Sequence, residues 1–306
     1  MKSFLVKKQI LKIFNSSDHD KAIKEKQIIP ENVAVDVYNY ADDNEEMHKL
    51  NYLYDKKNKN KNMPTIIDIH GGGWVYGNKD LNSFYMSYFA QKGFNAIVPS
   101  FRLCGHKYYY KDMIQDIFQM LNWIKTNHQK LNIDLNNLFL TGDSSGGQMI
   151  LFIDTINKNE FLEKIYGVSH IDLSFNAIYA THPACMLNDM HIAKDHKFID
   201  KMFIDTYFGI LFKDRKNITA KYASFDDYFK YSKLPPLFIV SSLGDTYLNP
   251  NAIALHEFLE KNNFKHEYLM VQNKDLNHVF NVLFADSKEG IDTNSKIISF
   301  FKKHIK

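Results

Sequence analysis

Long apolar runs are missing from this 306-residue chain. Nowhere do apolar residues approach the roughly 20 in succession that a membrane-spanning helix needs, so no membrane span is expected. The opening stretch MKSFLVKKQILKIF is apolar only in pieces, with Lys2, Lys7, Lys8 and Lys12 between them. A secretory signal needs an unbroken apolar stretch of about 7 to 15 residues, so export by that route is not expected. Cysteine is scarce: Cys104 and Cys185 allow one bridge at most, which excludes a disulfide-held scaffold and fits a reducing compartment. The expected location is cytoplasmic. One-sided charge is also lacking, since 38 basic residues face 35 acidic ones for a formal net charge of +3. That balance leaves no footprint for a nucleic-acid partner. With 45% apolar residues and only 7 Pro and 13 Gly, the chain is too apolar to be disordered. A single α/β domain reaches this length, so one domain over residues 1–306 carrying an insertion is expected rather than two complete domains.

What is present is an alternation of two periodicities. Phe4, Leu5, Val6, Ile10, Leu11, Ile13 and Phe14 fall near helical spacing, which predicts an N-terminal helical segment over residues 1–28 that packs on the domain. Val33, Val35 and Val37 alternate with Ala34, Asp36 and Tyr38, a strand signal, and a second strand is expected from His48 to Tyr54. The Lys/Asn run from Lys56 to Asn62 lies between strand candidates and reads as a solvated hairpin loop. Strands then follow at Thr65–Ile69, Phe94–Val98, Asn137–Leu140, Phe175–Ala180, Pro236–Ser241 and His266–Val271. Helical patterns occupy Leu81–Gln91, Lys111–His128, Ser145–Asn157, Asn251–Lys261 and Asn294–His304. Such alternation predicts an α/β fold, a mostly parallel sheet with helices on both faces and an antiparallel hairpin at its front. Residues 187–234 break the rhythm. They lack a strand signal but carry Ile199, Met202, Phe203, Tyr207, Phe208, Ile210 and Phe212 at helical spacing, and are too long for a connecting loop. A helical insertion over the sheet is expected there.

Two motifs carry chemistry. Gly142-Asp143-Ser144-Ser145-Gly146 has the G-x-S-x-G spacing at a strand-to-helix junction, where a sharp turn presents a serine hydroxyl above the sheet. The spacing selects Ser144, because Ser145 would need a glycine at position 143. The helix that starts there points amides and its positive dipole end at a developing anion. Upstream, His70-Gly71-Gly72-Gly73-Trp74 closes another strand. It has neither the Gly-Lys-Ser/Thr ending nor the helix-opening pattern of a phosphate loop. Its glycines free the backbone to turn amides toward one point, as an oxyanion hole requires.

Together HGGGW and GDSSGG resemble the hormone-sensitive-lipase-like family of α/β-hydrolases, which includes many bacterial carboxylesterases. The resemblance runs from about Val33 to the C-terminus, and it implies an α/β-hydrolase fold with a cap built from the N-terminal segment and the 187–234 insertion. It also implies a Ser, Asp, His triad in that chain order, with Gly72, Gly73 and the amide of Ser145 as oxyanion donors. Phe101-Arg102-Leu103 matches the family's Tyr-Arg-Leu segment, although Cys104-Gly105-His106 replaces the usual continuation. His278 follows the last strand and matches the family's His-x-Phe with Phe280, whereas His256 and His266 fall inside expected elements. Asp245 follows the strand ending at Ser241 and retains the family's first acid, but Thr246-Tyr247-Leu248-Asn249-Pro250 lacks the second acidic pair. Asp275 is the reserve acid, disfavoured by standing three residues from His278.

The reading is a serine carboxylic ester hydrolase acting on short- to medium-chain acyl esters. In such a cap some aromatics line the acyl or alcohol site, with Phe203, Tyr207 and Trp74 as the expected substrate contacts. No cofactor is expected and no metal, since His191, Asp195 and His196 read as a solvated helical face without a further ligand. The partner is a small-molecule ester, and the edge strand His266–Val271 could pair two copies in a homodimer. An arylformamidase-like amide hydrolase is the alternative enzyme. A non-catalytic ligand-binding relative would be expected to have lost the serine or the histidine, and both are present.

Overall fold

The computed structural model describes residues 27–105, 107–189, 197–214 and 216–306, together with Lys8. The N-terminal helical segment expected over 1–28 falls almost wholly outside these residues, as do His191, Asp195 and His196. Eight strands form the sheet: β1 (Val33–Asn39), β2 (Lys49–Asp55), β3 (Met63–Ile69), β4 (Asn95–Pro99), β5 (Ile133–Asp143), β6 (Ala177–Thr181), β7 (Leu237–Ser242) and β8 (His266–Val271). Their order is β1-β2-β4-β3-β5-β6-β7-β8. β1 pairs antiparallel with β2, and β2 antiparallel with β4. From β4 onward every pairing is parallel, so β8 is an edge strand.

The helices are α1 (Ser83–Gln91), α2 (Tyr110–Leu131), α3 (Ser145–Ile156), α4 (Glu160–Tyr166), α5 (Lys197–Phe212), α6 (Phe225–Tyr228), α7 (Asn249–Lys261), α8 (Phe280–Leu283) and α9 (Lys288–Lys302). Because side chains alternate across a strand, the central strands feed two cores. Ile67, Ile69, Leu138, Leu140, Ile178 and Ile239 meet Ile117 of α2, Met149 of α3 and Leu255 of α7 on one face. Ile66, Phe139, Tyr179, Phe238 and Val240 meet Phe89 of α1 and Phe301 of α9 on the other. A sheet buried on both faces must be apolar at successive positions, which is why the inner strands read as continuous apolar runs.

Lys56–Asn62 and the helices α4 and α8 depart from the sequence expectation. Lys56–Asn62 is not a hairpin loop, because β4 lies between β2 and β3. The segment instead opens with a short 3₁₀ turn, Lys56–Asn58, capped by the Asp55 carboxylate accepting from the Lys57 amide. The antiparallel hairpin at the front is formed by β1 and β2. Helix α4 was not expected, although its ends are marked: the Asn159 side chain accepts from the Leu162 amide and Gly167 closes it at φ 65°, the usual start and stop signals. Between β6 and β7 the described residues hold only helical elements, α5 and α6 among them. No helix among the described residues is long and apolar enough to cross a membrane.

Candidate active site

Ser144 stands between the end of β5 and the start of α3 at φ 52°, ψ −119°. A serine rarely adopts that backbone, and the turn persists because its neighbours allow close approach. A side chain at Gly146 would put a Cβ 1.8 Å from the Ile69 carbonyl of β3, so only glycine lets α3 start this close to the sheet. The Ser144 amide donates to the Thr181 carbonyl of β6 at 3.0 Å, which pins the turn. Of seven non-glycine residues with positive φ among the described residues, four are Trp74, Ser144, His182 and Val279, and these follow the carboxyl ends of β3, β5, β6 and β8. Backbone strain concentrated in this way marks functional sites.

The glycine loop lies across from the elbow. Gly71 donates its amide to Asp143 Oδ1 at 2.9 Å, and the Trp74 amide donates to Ser145 Oγ at 3.3 Å. The Val75 and Tyr76 amides both turn back to the Gly72 carbonyl. Among the described residues the Gly72 and Gly73 amides have no protein acceptor, and Ser145 opens α3, where the first amides lack intrahelical acceptors. Gly72 sits at φ +115°, and a Cβ there would meet the Tyr76 carbonyl at 2.2 Å. The expected donors therefore occupy a loop tied down on both sides of the pair that stays uncommitted.

Asp245 and His278 are brought together: His278 Nδ1 lies 2.7 Å from Asp245 Oδ2. The other carboxylate oxygen, Oδ1, accepts from the Tyr247 and Leu248 amides at 3.1 and 2.9 Å. Burial pushes the Asp245 carboxyl up, but the His278 hydrogen bond and charge, with the Leu248 amide, outweigh it and hold the group below its ordinary value. Asp245 is thus an anion whose free oxygen is aimed at one imidazole nitrogen. The His278 side chain remains 33% exposed, which keeps its other end reachable. Among the described residues Ser144 Oγ and His278 Nε2 form no hydrogen bond with each other, a looseness common in sites without substrate. Asp275 is exposed and makes no ion pair with His278. Where the acidic pair is missing, Asn249 begins α7 and accepts from Ser241 Oγ at 2.9 Å, and Pro250 suits the first turn of that helix.

The expected substrate contacts fare unevenly. Trp74 is buried at 3% exposure and its indole donates to Gln148 Oε1 at 3.3 Å, so it packs behind the glycine loop. Tyr207 of α5 is also buried, its ring stands edge-on to Trp74 at 6.0 Å, and its hydroxyl donates to the Gly73 carbonyl. The insertion thereby touches the glycine loop directly. Phe203 lies on α5, its side chain outside the described residues. Arg102 forks onto the buried Asp116 of α2, with Nε at 2.9 Å from Oδ1.

Sequence reasoning missed two supports. His182, fully buried, places Nδ1 2.9 Å from Thr181 Oγ1 and Nε2 2.9 Å from Ser242 Oγ. Ser242 Oγ in turn donates to the Leu276 carbonyl at 2.7 Å, two residues before His278. The His182 and His278 rings meet edge-on at 5.5 Å. Burial and the facing His278 push the His182 pKa down to about 3, so His182 is a neutral brace behind the His278 loop. Its only sequence signal was a His-Pro pair closing a strand.

The second support lies under the glycine loop, where one side-chain amide, Asn82 Nδ2, donates to Asp68 Oδ2 at 2.9 Å and Asp143 Oδ1 at 2.8 Å. Burial, and for Asp68 the neighbouring Asp143, raise both carboxyls above their ordinary values. A folded-state pKa raised above the unfolded one contributes stability that is complete below about pH 4 and is lost as pH climbs through the folded value. Asp68→Asn removes the charge that cannot be accommodated. It should flatten the fall in melting temperature above that pH and raise it by a few degrees at pH 8, roughly 1–2 kcal/mol. Thermal unfolding of both proteins from pH 4 to 9 checks this, and parallel curves would contradict it.

Fold and site together define an α/β-hydrolase. The family model BD-FAE matches residues 52–259, and the chain belongs to that family, in keeping with the resemblance carried by its two glycine-rich motifs. Esterase B from Lactobacillus rhamnosis superposes with a TM-score of 0.87 at 27% identity, covering 97% of this chain and 95% of that one. The same esterase has also been solved with a tributyrin phosphonate inhibitor. Arylacetamide deacetylase of Bos taurus is 29% identical over 103 residues, 32% of this chain and 26% of its own. Carboxylesterase NlhH of Mycobacterium tuberculosis is 33% identical over 90 residues, 29% of this chain and 28% of its own. The chain thus spans under a third of the length of the curated relatives it matches.

Proposed function

We propose that the chain is a serine carboxylesterase in which Ser144 is the nucleophile, His278 the general base and acid, and Asp245 the group that orients the imidazole. The observation that carries this reading is the 2.7 Å contact from His278 Nδ1 to a buried Asp245 oxygen, across from a serine on a strained elbow. His278 takes the Ser144 proton from its Nε2 side as Oγ attacks the ester carbonyl. The amides of Gly72, Gly73 and Ser145 receive the negative charge that develops on the carbonyl oxygen. The imidazolium then returns the proton to the departing alcohol, leaving an acyl group on Ser144. A water deprotonated by His278 releases the acid.

Residues 187–234 act as the cap. The Tyr207 hydroxyl on the Gly73 carbonyl supports a role for α5 in holding the oxyanion loop as well as closing the site. The cap aromatics and the tributyrin phosphonate taken by esterase B support short- to medium-chain acyl esters as substrates. Cys104 and Cys185 are buried and not joined in a disulfide, which supports a reducing, cytoplasmic setting. The relative named arylacetamide deacetylase favours a second reading, cleavage of an aromatic amide by the same groups. Nitrophenyl esters from acetate to decanoate, run beside an N-formyl and an N-acetyl aromatic amine, test the choice. Turnover highest on the shorter esters is expected. Faster turnover of an amide would favour the second reading, and no turnover of any would contradict both.

A further inference from the structure

At the opposite end of the edge strand from the triad, three donor groups converge that the esterase chemistry does not use. His256 and Glu260 stand one turn apart on α7, and His266 is the first residue of β8. Their ligand atoms all lie within 4.8 Å of one another. His256 Nδ1 is 2.8 Å from His266 Nε2, and a Glu260 oxygen is 3.9 Å from the same His266 nitrogen.

The tautomer of His266 is settled by its other nitrogen. Nδ1 faces the Phe264 carbonyl at 2.8 Å, and a carbonyl only accepts, so Nδ1 carries the proton and Nε2 presents a lone pair. An imidazole oriented by a backbone carbonyl through its second nitrogen is the usual arrangement of a metal-bound histidine. The His266 side chain is 1% exposed while Glu260 is 66% exposed, so the cluster is anchored at one end and open at the other. The His256 ring is held by stacking on Tyr268 at 4.4 Å between centroids.

We propose that His256, Glu260 and His266 form a binding site for a divalent zinc ion that fastens the end of α7 to the start of β8. Two nitrogens and one carboxylate oxygen suit zinc, with water as the fourth ligand. Nitrogens bound at about 2.0–2.1 Å to one tetrahedral zinc stand about 3.3 Å apart, so the rings need to part by about half an ångström. The exposed side of the cluster gives Glu260 room to swing inward. The site lies at the amino end of β8, whereas His278 follows its carboxyl end, so the ion is structural and distinct from the ester-cleaving groups.

The full chain, stripped with a chelator, is titrated with zinc sulfate by calorimetry and followed by thermal unfolding. One equivalent is expected to bind, and zinc at a hundredfold excess over Kd is expected to raise the melting temperature by roughly 5 °C. Glu260→Gln, an exposed change that leaves folding intact, should weaken binding at least tenfold. The double variant His256→Gln/His266→Gln should abolish both binding and the thermal shift, with ester turnover retained in all three proteins. No stoichiometric binding by the unaltered chain would overturn the proposal and leave the two rings as a simple hydrogen-bonded pair. Binding that survives in the double variant would overturn it as well, by locating the ion elsewhere. Neither result bears on the esterase reading, which is measured separately.

Discussion

Ser144→Ala should lower kcat on a short-chain nitrophenyl ester by about 10⁶-fold, with KM little changed. The variant keeps the elbow, since alanine at this position has the same backbone demand as serine and Gly146 still permits the approach to Ile69. Its melting temperature should therefore match that of the unaltered chain. In the proposed mechanism loss of the hydroxyl removes the acyl-enzyme route altogether, because the amides assigned to the oxyanion, those of Gly72, Gly73 and Ser145, cannot supply a nucleophile. Residual turnover of about 10³-fold over water is what those amides and binding alone leave. Steady-state rates with a thermal melt on the same preparation check both halves of the expectation. Retention of more than a tenth of the activity would remove Ser144 from the mechanism.

The second large effect belongs to Asp245→Asn, where a fall in kcat of about 10⁴-fold is expected. The reason is specific to how this carboxylate is held. Its Oδ1 accepts from two backbone amides, Tyr247 and Leu248, so an asparagine must keep its oxygen there and turn its NH₂ toward His278. That group donates where the carboxylate accepted, forcing the His278 lone pair onto Nδ1 and the proton onto Nε2. The imidazole is then in the tautomer that cannot take the Ser144 proton. The geometry survives while the base is lost, so KM should move far less than kcat. Equal changes in both would indicate that Asp245 only shapes the loop.

Much of this was legible in the sequence because it is local. Alternation at Val33–Tyr38 and short apolar runs bounded by turn residues elsewhere marked every strand of the sheet to within a few residues, and His266–Val271 to the residue. G-x-S-x-G located Ser144 because the turn it encodes is completed within five positions. What escaped notice depends on contacts between distant segments. The Lys56–Asn62 connection was misread as a hairpin because nothing between residues 56 and 62 records that β4 will slot in beside β2. His182 offered only an unusual residue at a strand end, and its bearing on His278 exists through Ser242 and Leu276. Asp68, Asn82 and Asp143 stand far apart in the chain and share a buried amide only after β3, α1 and β5 have packed. The His256 and His266 pair was likewise hidden, since ten residues and a change from helix to strand separate them.

Covalent trapping shows whether Ser144 is the group that attacks the substrate. The protein is incubated with a short-chain nitrophenyl phosphonate, its intact mass is measured, and the modified peptide is sequenced by fragmentation. One phosphonyl group per chain is expected, attached to Ser144, with ester turnover lost in proportion to labelling and no adduct on Ser144→Ala. An unlabelled protein that still turns over esters, or a label carried by Ser145 or any other residue, would show that a group other than Ser144 attacks the ester.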